Sequence, residues 1–112
     1  MTTTELSIKA ADRGTIVISG TFQDENGDPV TPNSATWTLT NGASVVNERT
    51  EVNFDAPLSS SFSVVLTDAD LAYADGAERY LVVDYRYDSD AGNDLRNTAQ
   101  VRFVVLDVQH VV

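Results

Sequence analysis

The sequence contains no cysteine, few basic residues and no long apolar run. The absence of cysteine excludes both a disulfide scaffold and a thiolate zinc site. No segment approaches the roughly 18 consecutive apolar residues that a membrane-spanning helix needs. Residues 1–6 lack the basic and apolar regions of a signal peptide, so no secretory signal is predicted.

Acidic residues greatly outnumber basic ones. Seven Lys and Arg stand against 17 Asp and Glu in 112 residues, which gives a formal net charge of −10 and a pI near 4.1. Such a surface repels phosphate backbones and anionic lipid, so neither nucleic acid nor membrane is expected as a partner. The length suits one domain with a single core. We therefore predict one domain over residues 1–112, with flexible arms at 1–5 and 109–112.

Apolar and polar residues alternate with period two along most of the chain, which is typical of strands. The clearest case is residues 34–40, where Ala35, Trp37 and Leu39 alternate with serine and threonine. Further strands are predicted at residues 15–22, 61–67, 80–87 and 100–105, with weaker ones at 6–10 and 45–54. Turn-forming residues separate these runs, as at Asn41-Gly42, and a helical turn fits only between Asp68 and Ala77.

This pattern resembles the cysteine-free immunoglobulin-like sandwiches. Trp37 stands in mid-strand, and the segment at residues 66–80 resembles the corner before the sixth strand, with Tyr80 as a tyrosine corner that ties its hydroxyl to upstream backbone. The expected fold is all-β, an immunoglobulin-like β-sandwich of about seven antiparallel strands. Its core is expected around Trp37, Phe62, Leu81 and Phe103.

A second resemblance covers nearly the whole chain and rests on residues 10–15, 22–30, 35–40, 65–71, 79–83 and 85–92. These segments resemble the short, acidic, immunoglobulin-like structural proteins of tailed bacteriophages. The resemblance implies a virion protein, made in the host cytoplasm, that docks onto other capsid, neck or tail subunits in multiple copies or as a homo-oligomer. Capsid decoration and a head–tail neck or tail accessory role are both implied. It implies no active-site residue and no cofactor.

Catalytic residues are not predicted. The single histidine, His110, lies in the last three residues, whereas a nucleophilic triad needs a histidine held between a nucleophile and an orienting acid. The carboxylates concentrate in turns, where Asp is favoured for backbone reasons. We therefore expect a protein without enzymatic activity.

Calcium binding is the alternative function. Two acidic loops carry oxygen ligands of the kind that calcium prefers, namely Asp24, Asn26, Asp28, Asp88, Asp90 and Asp94. The first loop lacks the bidentate glutamate of an EF-hand, and Asx side chains that bond their own backbone explain the same residues. A related Phe-x-Asp-x-x-Gly-x-Pro-Val stretch at residues 22–30 also occurs in adhesin domains. A calcium- or glycan-binding adhesin-like domain is therefore the second hypothesis, and no metal is assigned.

Apolar residues in the outward register of strands are the candidate interface, because they interrupt otherwise polar faces. Val17 is one such interruption. The candidates are Val65, Val82, Val104, Leu106, Val108, Val111 and Val112. If the last two strong strands are neighbours, Val82 and Val104 are expected close together on one outer face. The alternative explanation is the β-propensity of valine. Either chain end is also a candidate strand for the sheet edge of a partner.

Overall fold

Eight strands and two short 3₁₀ helices make up the part of the chain that the computed structural model describes, residues 2–5, 10–54 and 58–106. The strands are β1 (Thr2–Glu5), β2 (Ala10–Ala11), β3 (Thr15–Thr21), β4 (Ser34–Thr40), β5 (Val52–Asn53), β6 (Ser61–Thr67), β7 (Glu78–Ser89) and β8 (Gly92–Leu106). The 3₁₀ helices, Asp68–Leu71 and Tyr73–Asp75, connect β6 to β7. No helix in these residues is long and apolar enough to cross a membrane.

The strands form two sheets. The large sheet has the order β1–β8–β7–β4–β5, with β2 also paired to β8, while β3 pairs with β6 in a second sheet. The grouping of β4, β7 and β8 in one sheet and of β3 and β6 in the other is that of an immunoglobulin-like sandwich. The predicted all-β sandwich is therefore confirmed.

The chain ends and the 45–54 region differ from the sequence prediction. Both β1 and β2 run parallel to β8, so the pairing is not wholly antiparallel and the described strands number eight. The prediction of a flexible arm at residues 1–5 is corrected, because Thr2–Glu5 is a strand with continuous register to β8. Of the strand predicted at 45–54, only Val52–Asn53 and one bridge at Val45 are formed. Residues 109–112 lie outside the described residues.

The core lies between the inward faces of the two sheets, and the period-two alternation accounts for it. On β4, Trp37 and Leu39 are buried, and the threonines that alternate with them are half-buried. Leu81 and Phe103 are fully buried, as predicted, whereas Phe62 is partly buried at the rim. Burial of each such side chain contributes roughly 1.5–3 kcal/mol. Apolar burial therefore does the stabilising work in a chain without disulfides.

A close approach at one end of the core explains the single glycine within β3. Gly20 lies directly opposite Phe62, whose ring packs against Phe22 and Phe54 with centroid distances of 5.0 and 5.6 Å. A Cβ at residue 20 would lie 2.6 Å from Cζ of Phe62. The glycine leaves the space that this aromatic cluster occupies.

Gly20→Val is expected to destabilise the domain by about 1–3 kcal/mol, because the Phe62 ring cannot move away without disturbing its two aromatic neighbours. Urea unfolding monitored by Trp37 fluorescence measures the loss. The control is Thr21→Val on the exposed face of the same strand, where the expected change is within about 0.5 kcal/mol. Equal stability of the two variants would contradict the packing explanation.

Candidate docking surface

The sheet formed by β3 and β6, here called the neutral sheet, carries no charged residue in either strand. The charged residues that lie within strands belong to the large sheet, in β1, β7 and β8. On its outer face Val17 and Val65 lie directly opposite each other. Their side chains are 56% and 57% exposed, the largest exposures among the described large hydrophobics. Serine and threonine surround this valine pair on both strands, so the outer face is neutral and weakly apolar.

The outer edge of β3 has unpaired backbone. At the two ends of the ladder, Asp68 N–H donates to Gly14 O and Phe22 N–H donates to Ser60 O. In an antiparallel ladder the bonding pairs alternate, so even-numbered residues of β3 face β6 and odd-numbered ones point their N–H and C=O groups away from it. Within the described residues, no strand pairs with that outward side. Such a row of donors and acceptors is a template for another strand.

The outer edge of β6 is partly closed by side chains. The Ser59 hydroxyl accepts from Ser61 N–H at 3.3 Å and donates to Ser61 O at 2.9 Å. At the other end of the strand, Thr67 N–H donates to an Asp70 carboxylate oxygen at 3.1 Å. The two edges of the neutral sheet are therefore unequal, and β3 presents the longer open one.

A buried carboxylate anchors the end of β6. Asp70 accepts hydrogen bonds from Asn47 Nδ2 and Arg49 Nε, both at 2.9 Å, as well as from Thr67 N–H. Burial opposes the ionisation of Asp70, but these bonds and the positive charge of Arg49 outweigh it, so the pKa of Asp70 lies below its ordinary value. The carboxylate thereby links the connection between β4 and β5 to the neutral sheet.

A buried guanidinium organises the connection between β6 and β7. Arg79 is fully buried. Its Nε donates to the carbonyl oxygen of Asp70 at 3.0 Å, and its Nη2 donates to that of Ala72 at 2.6 Å. Its Nη1 donates to the carbonyl oxygens of Gly76 at 2.7 Å and Glu78 at 2.9 Å. One side chain therefore satisfies carbonyls throughout a segment that has no regular ladder.

This arrangement corrects the predicted tyrosine corner. Tyr80 occupies the outward register of β7, and its hydroxyl lies 3.4 Å from the Glu78 carboxylate rather than on upstream backbone. The preceding residue, Arg79, points inward and holds the corner. Another tyrosine, Tyr85, makes a backbone tie: its hydroxyl accepts from Gln23 N–H at 3.0 Å and donates to Gln23 O at 2.6 Å. The predicted alternation, with Leu81 inward, itself places Tyr80 in the outward register and Arg79 in the inward one.

The predicted interface residues do not form one patch. Val65 is exposed on the neutral sheet, while Val82 and Val104 are half-buried on the outer face of the large sheet. Val82 lies opposite Gln100, whereas Val104 lies opposite Glu78, which is four residues from Val82 along β7. The expectation that Val82 and Val104 lie close together is therefore wrong. Leu106 is 43% exposed at the end of β8. Val108, Val111 and Val112 lie outside the described residues.

The acidic loops use their carboxylates to bind their own backbone. Asp24 Oδ1 accepts from the N–H groups of Asn26 at 2.9 Å and Asp28 at 3.0 Å. Asp88 Oδ1 accepts from Asp94 N–H at 2.8 Å, and this bond is the main reason that the pKa of Asp88 is lowered. In the described residues, no three acidic or histidine side chains converge on a metal-sized site. These bonds explain the residues without a ligand, and Asp90 is exposed; calcium binding stays a prediction.

A shallow polar groove of about 350 Å³ crosses the outer face of the large sheet. Its lining comprises Ser34, Ala35, Thr36, Glu51, Asp84, Tyr85, Arg86 and Arg96. Asp84 accepts from Arg96 Nη2 at 3.1 Å and from Thr98 Oγ1 at 2.7 Å. This carboxylate is thus occupied by its neighbours. His110 lies outside the described residues.

Comparisons with known protein families, characterised proteins and solved structures found no match. The surface geometry and the sequence resemblance are therefore the basis for a functional proposal. Sequence reasoning noted Val17 but did not include it among the interface candidates, and it did not identify the open edge of β3. Two features of the sequence pointed to this surface: Val17 stands in the polar register of its strand, and that strand contains no charged residue.

Proposed function

We propose that this chain is a non-enzymatic structural protein of a tailed-bacteriophage virion that docks onto capsid, neck or tail subunits through the neutral sheet. The observation that carries the docking role is the exposed Val17–Val65 pair on a sheet without charge. In an acidic protein, a charge-free face is where another protein approaches with the least desolvation cost. The virion setting rests on the resemblance of the sequence to phage structural proteins.

Docking through many copies suits a face of this size. A two-stranded surface with one valine pair offers a small apolar area, and small interfaces are weak individually. Repetition over a symmetric particle converts weak contacts into stable attachment, because each copy that binds raises the effective concentration of the next contact. The net charge of −10 opposes non-specific aggregation of unassembled copies.

Replacing both valines by lysine is expected to abolish docking while the fold is kept. Val17→Lys/Val65→Lys places two charges in the contact but changes only exposed positions, so each substitution costs about 0.5 kcal/mol or less. The experiment adds purified chain to particles of the encoding phage that lack it, and measures co-sedimentation and added density in images. Binding of the wild-type chain and loss of at least about tenfold in the lysine variant are expected.

The control is Thr36→Lys/Gln100→Lys, which adds the same two charges on the outer face of the large sheet. This variant is expected to bind as the wild-type chain does. Failure of the wild-type chain to bind heads, necks or tails would overturn the virion role. Equal binding by the two lysine variants would overturn the assignment to the neutral sheet.

A further inference from the structure

We propose that the outer edge of β3 pairs antiparallel with β3 of a second copy of this chain, which joins two neutral sheets into one sheet of four strands. This inference rests on the proposed function, which assigns docking to the neutral sheet, and it adds that a second copy of the chain binds the edge of that sheet. The outward backbone groups belong to the odd-numbered residues Thr15, Val17, Ser19 and Thr21. They are the donors and acceptors that such a ladder needs.

The edge of β3 lacks the features that normally prevent strand pairing. Natural edges are protected by charged residues, proline, bulges or very short strands. β3 is seven residues long, contains neither charge nor proline, and keeps an unbroken register with β6 from Thr15 to Thr21. The β6 edge is the less suitable one, since Ser59 and Asp70 already bind its ends.

A second copy fits this edge through symmetry and charge. A two-fold register that sets Val17 opposite Val17 of the second copy allows backbone pairs between residues 15 and 19, 17 and 17, and 19 and 15. Because Val65 already lies opposite Val17, the outer face would then carry an unbroken row of four valines. Two chains of net charge −10 repel, so they approach best where the joining strands carry no charge.

Proline at residue 19 is the discriminating substitution. The N–H of Ser19 points away from β6, so Ser19→Pro leaves the β3–β6 ladder intact and removes one donor per copy from the new ladder. The matched control is Ser63→Pro, which faces Ser19 and removes the equivalent outward donor from the β6 edge. Circular dichroism and the Tm of both variants verify the fold.

Analytical ultracentrifugation of the full chain up to about 1 mM measures association. We expect a monomer–dimer equilibrium that tightens as salt screens the repulsion between copies. Ser19→Pro is expected to raise the dimer Kd by about tenfold or more, and Ser63→Pro to leave it within about twofold. In the wild-type chain, amide exchange at Val17 and Ser19 is expected to slow with rising concentration, a readout that does not depend on the folding of any variant.

A wild-type chain that stays monomeric, or exchange at Val17 and Ser19 that does not change with concentration, would overturn the pairing. Dimerisation reduced equally by both proline variants would also overturn it, because the β6 edge would then be involved. Binding of a strictly monomeric chain to phage particles would contradict only this inference. A dimer that binds no particle would contradict the virion role and leave the β3 pairing supported.

Discussion

Replacing Arg79 by methionine is expected to lower the free energy of unfolding by about 3–5 kcal/mol, the largest effect of any single substitution considered for this domain. Methionine preserves much of the buried stem and removes the guanidinium, so the carbonyls of Asp70, Ala72, Gly76 and Glu78 each lose one hydrogen bond. Arg79 is fully buried, and water cannot replace it without opening the corner. Urea unfolding at neutral pH, followed by Trp37 fluorescence, measures the loss.

The matched control is Arg96→Met on the outer face of the large sheet. The Arg96 side chain is 64% exposed and bonds Asp84 at 3.1 Å, and an exposed ion pair of this kind contributes about 1 kcal/mol or less. We expect Arg79→Met to lower the free energy of unfolding far more than Arg96→Met, although the chemical change is the same. Similar losses in the two variants would show that the corner does not depend on the buried bonds of Arg79.

Asp70→Asn is expected to cost about 2–4 kcal/mol at pH 7, and this cost should shrink in acid. The pKa of Asp70 is lower in the folded chain than in the unfolded chain. The stabilisation from its carboxylate is therefore fully present above the unfolded pKa, near 4, and is lost as the pH falls through the lower folded value. Unfolding free energies of both proteins at pH 7, 5, 4 and 3 measure this convergence.

Arg49→Gln gives a second test of the same carboxylate. It keeps Asp70 but removes one charged partner, whose side chain is 40% exposed, so a smaller loss than that of Asp70→Asn is expected. The acid dependence of stability should also weaken, because one cause of the lowered pKa is gone. A gap between wild type and Asp70→Asn that stays constant from pH 7 to pH 3 would contradict the ionic role of Asp70.

These two side chains connect the interior to the proposed docking surface. Asp70 bonds the N–H of Thr67, the last residue of β6, and Arg79 holds the carbonyl of the same aspartate. A polar network therefore holds the end of the neutral sheet. In the described residues, every buried side-chain nitrogen and oxygen atom has a hydrogen-bond partner.

Much of the fold follows from local patterns. The alternation at residues 34–40, 61–67 and 80–87 identified β4, β6 and most of β7, because the side-chain period of a strand is visible wherever one face is buried. The predicted core residues Trp37, Leu81 and Phe103 are buried for the same reason. β1 escaped this reasoning since its threonines show no alternation, and its pairing with β8 joins opposite ends of the chain.

The candidate site was only partly predictable. An apolar residue in a polar register identified Val65, but the same rule also named Val82 and Val104, which are half-buried on another sheet. Valine suits any strand, so its presence does not tell an interface from ordinary β-propensity. The tyrosine corner was wrong because Tyr80 precedes the inward Leu81 and therefore lies in the outward register, whereas Arg79 occupies the inward position.

The sequence by itself determined the class of the protein: one small, acidic, cysteine-free sandwich whose strands alternate around an apolar core. It also determined that β3 and β6 carry no charge, since this is a property of composition. Only the tertiary structure decided that these two strands pair with each other, that Val17 meets Val65, and that β3 has an open edge. The physical reason is that edges and cross-strand neighbours arise from contacts between distant segments, which no local period encodes.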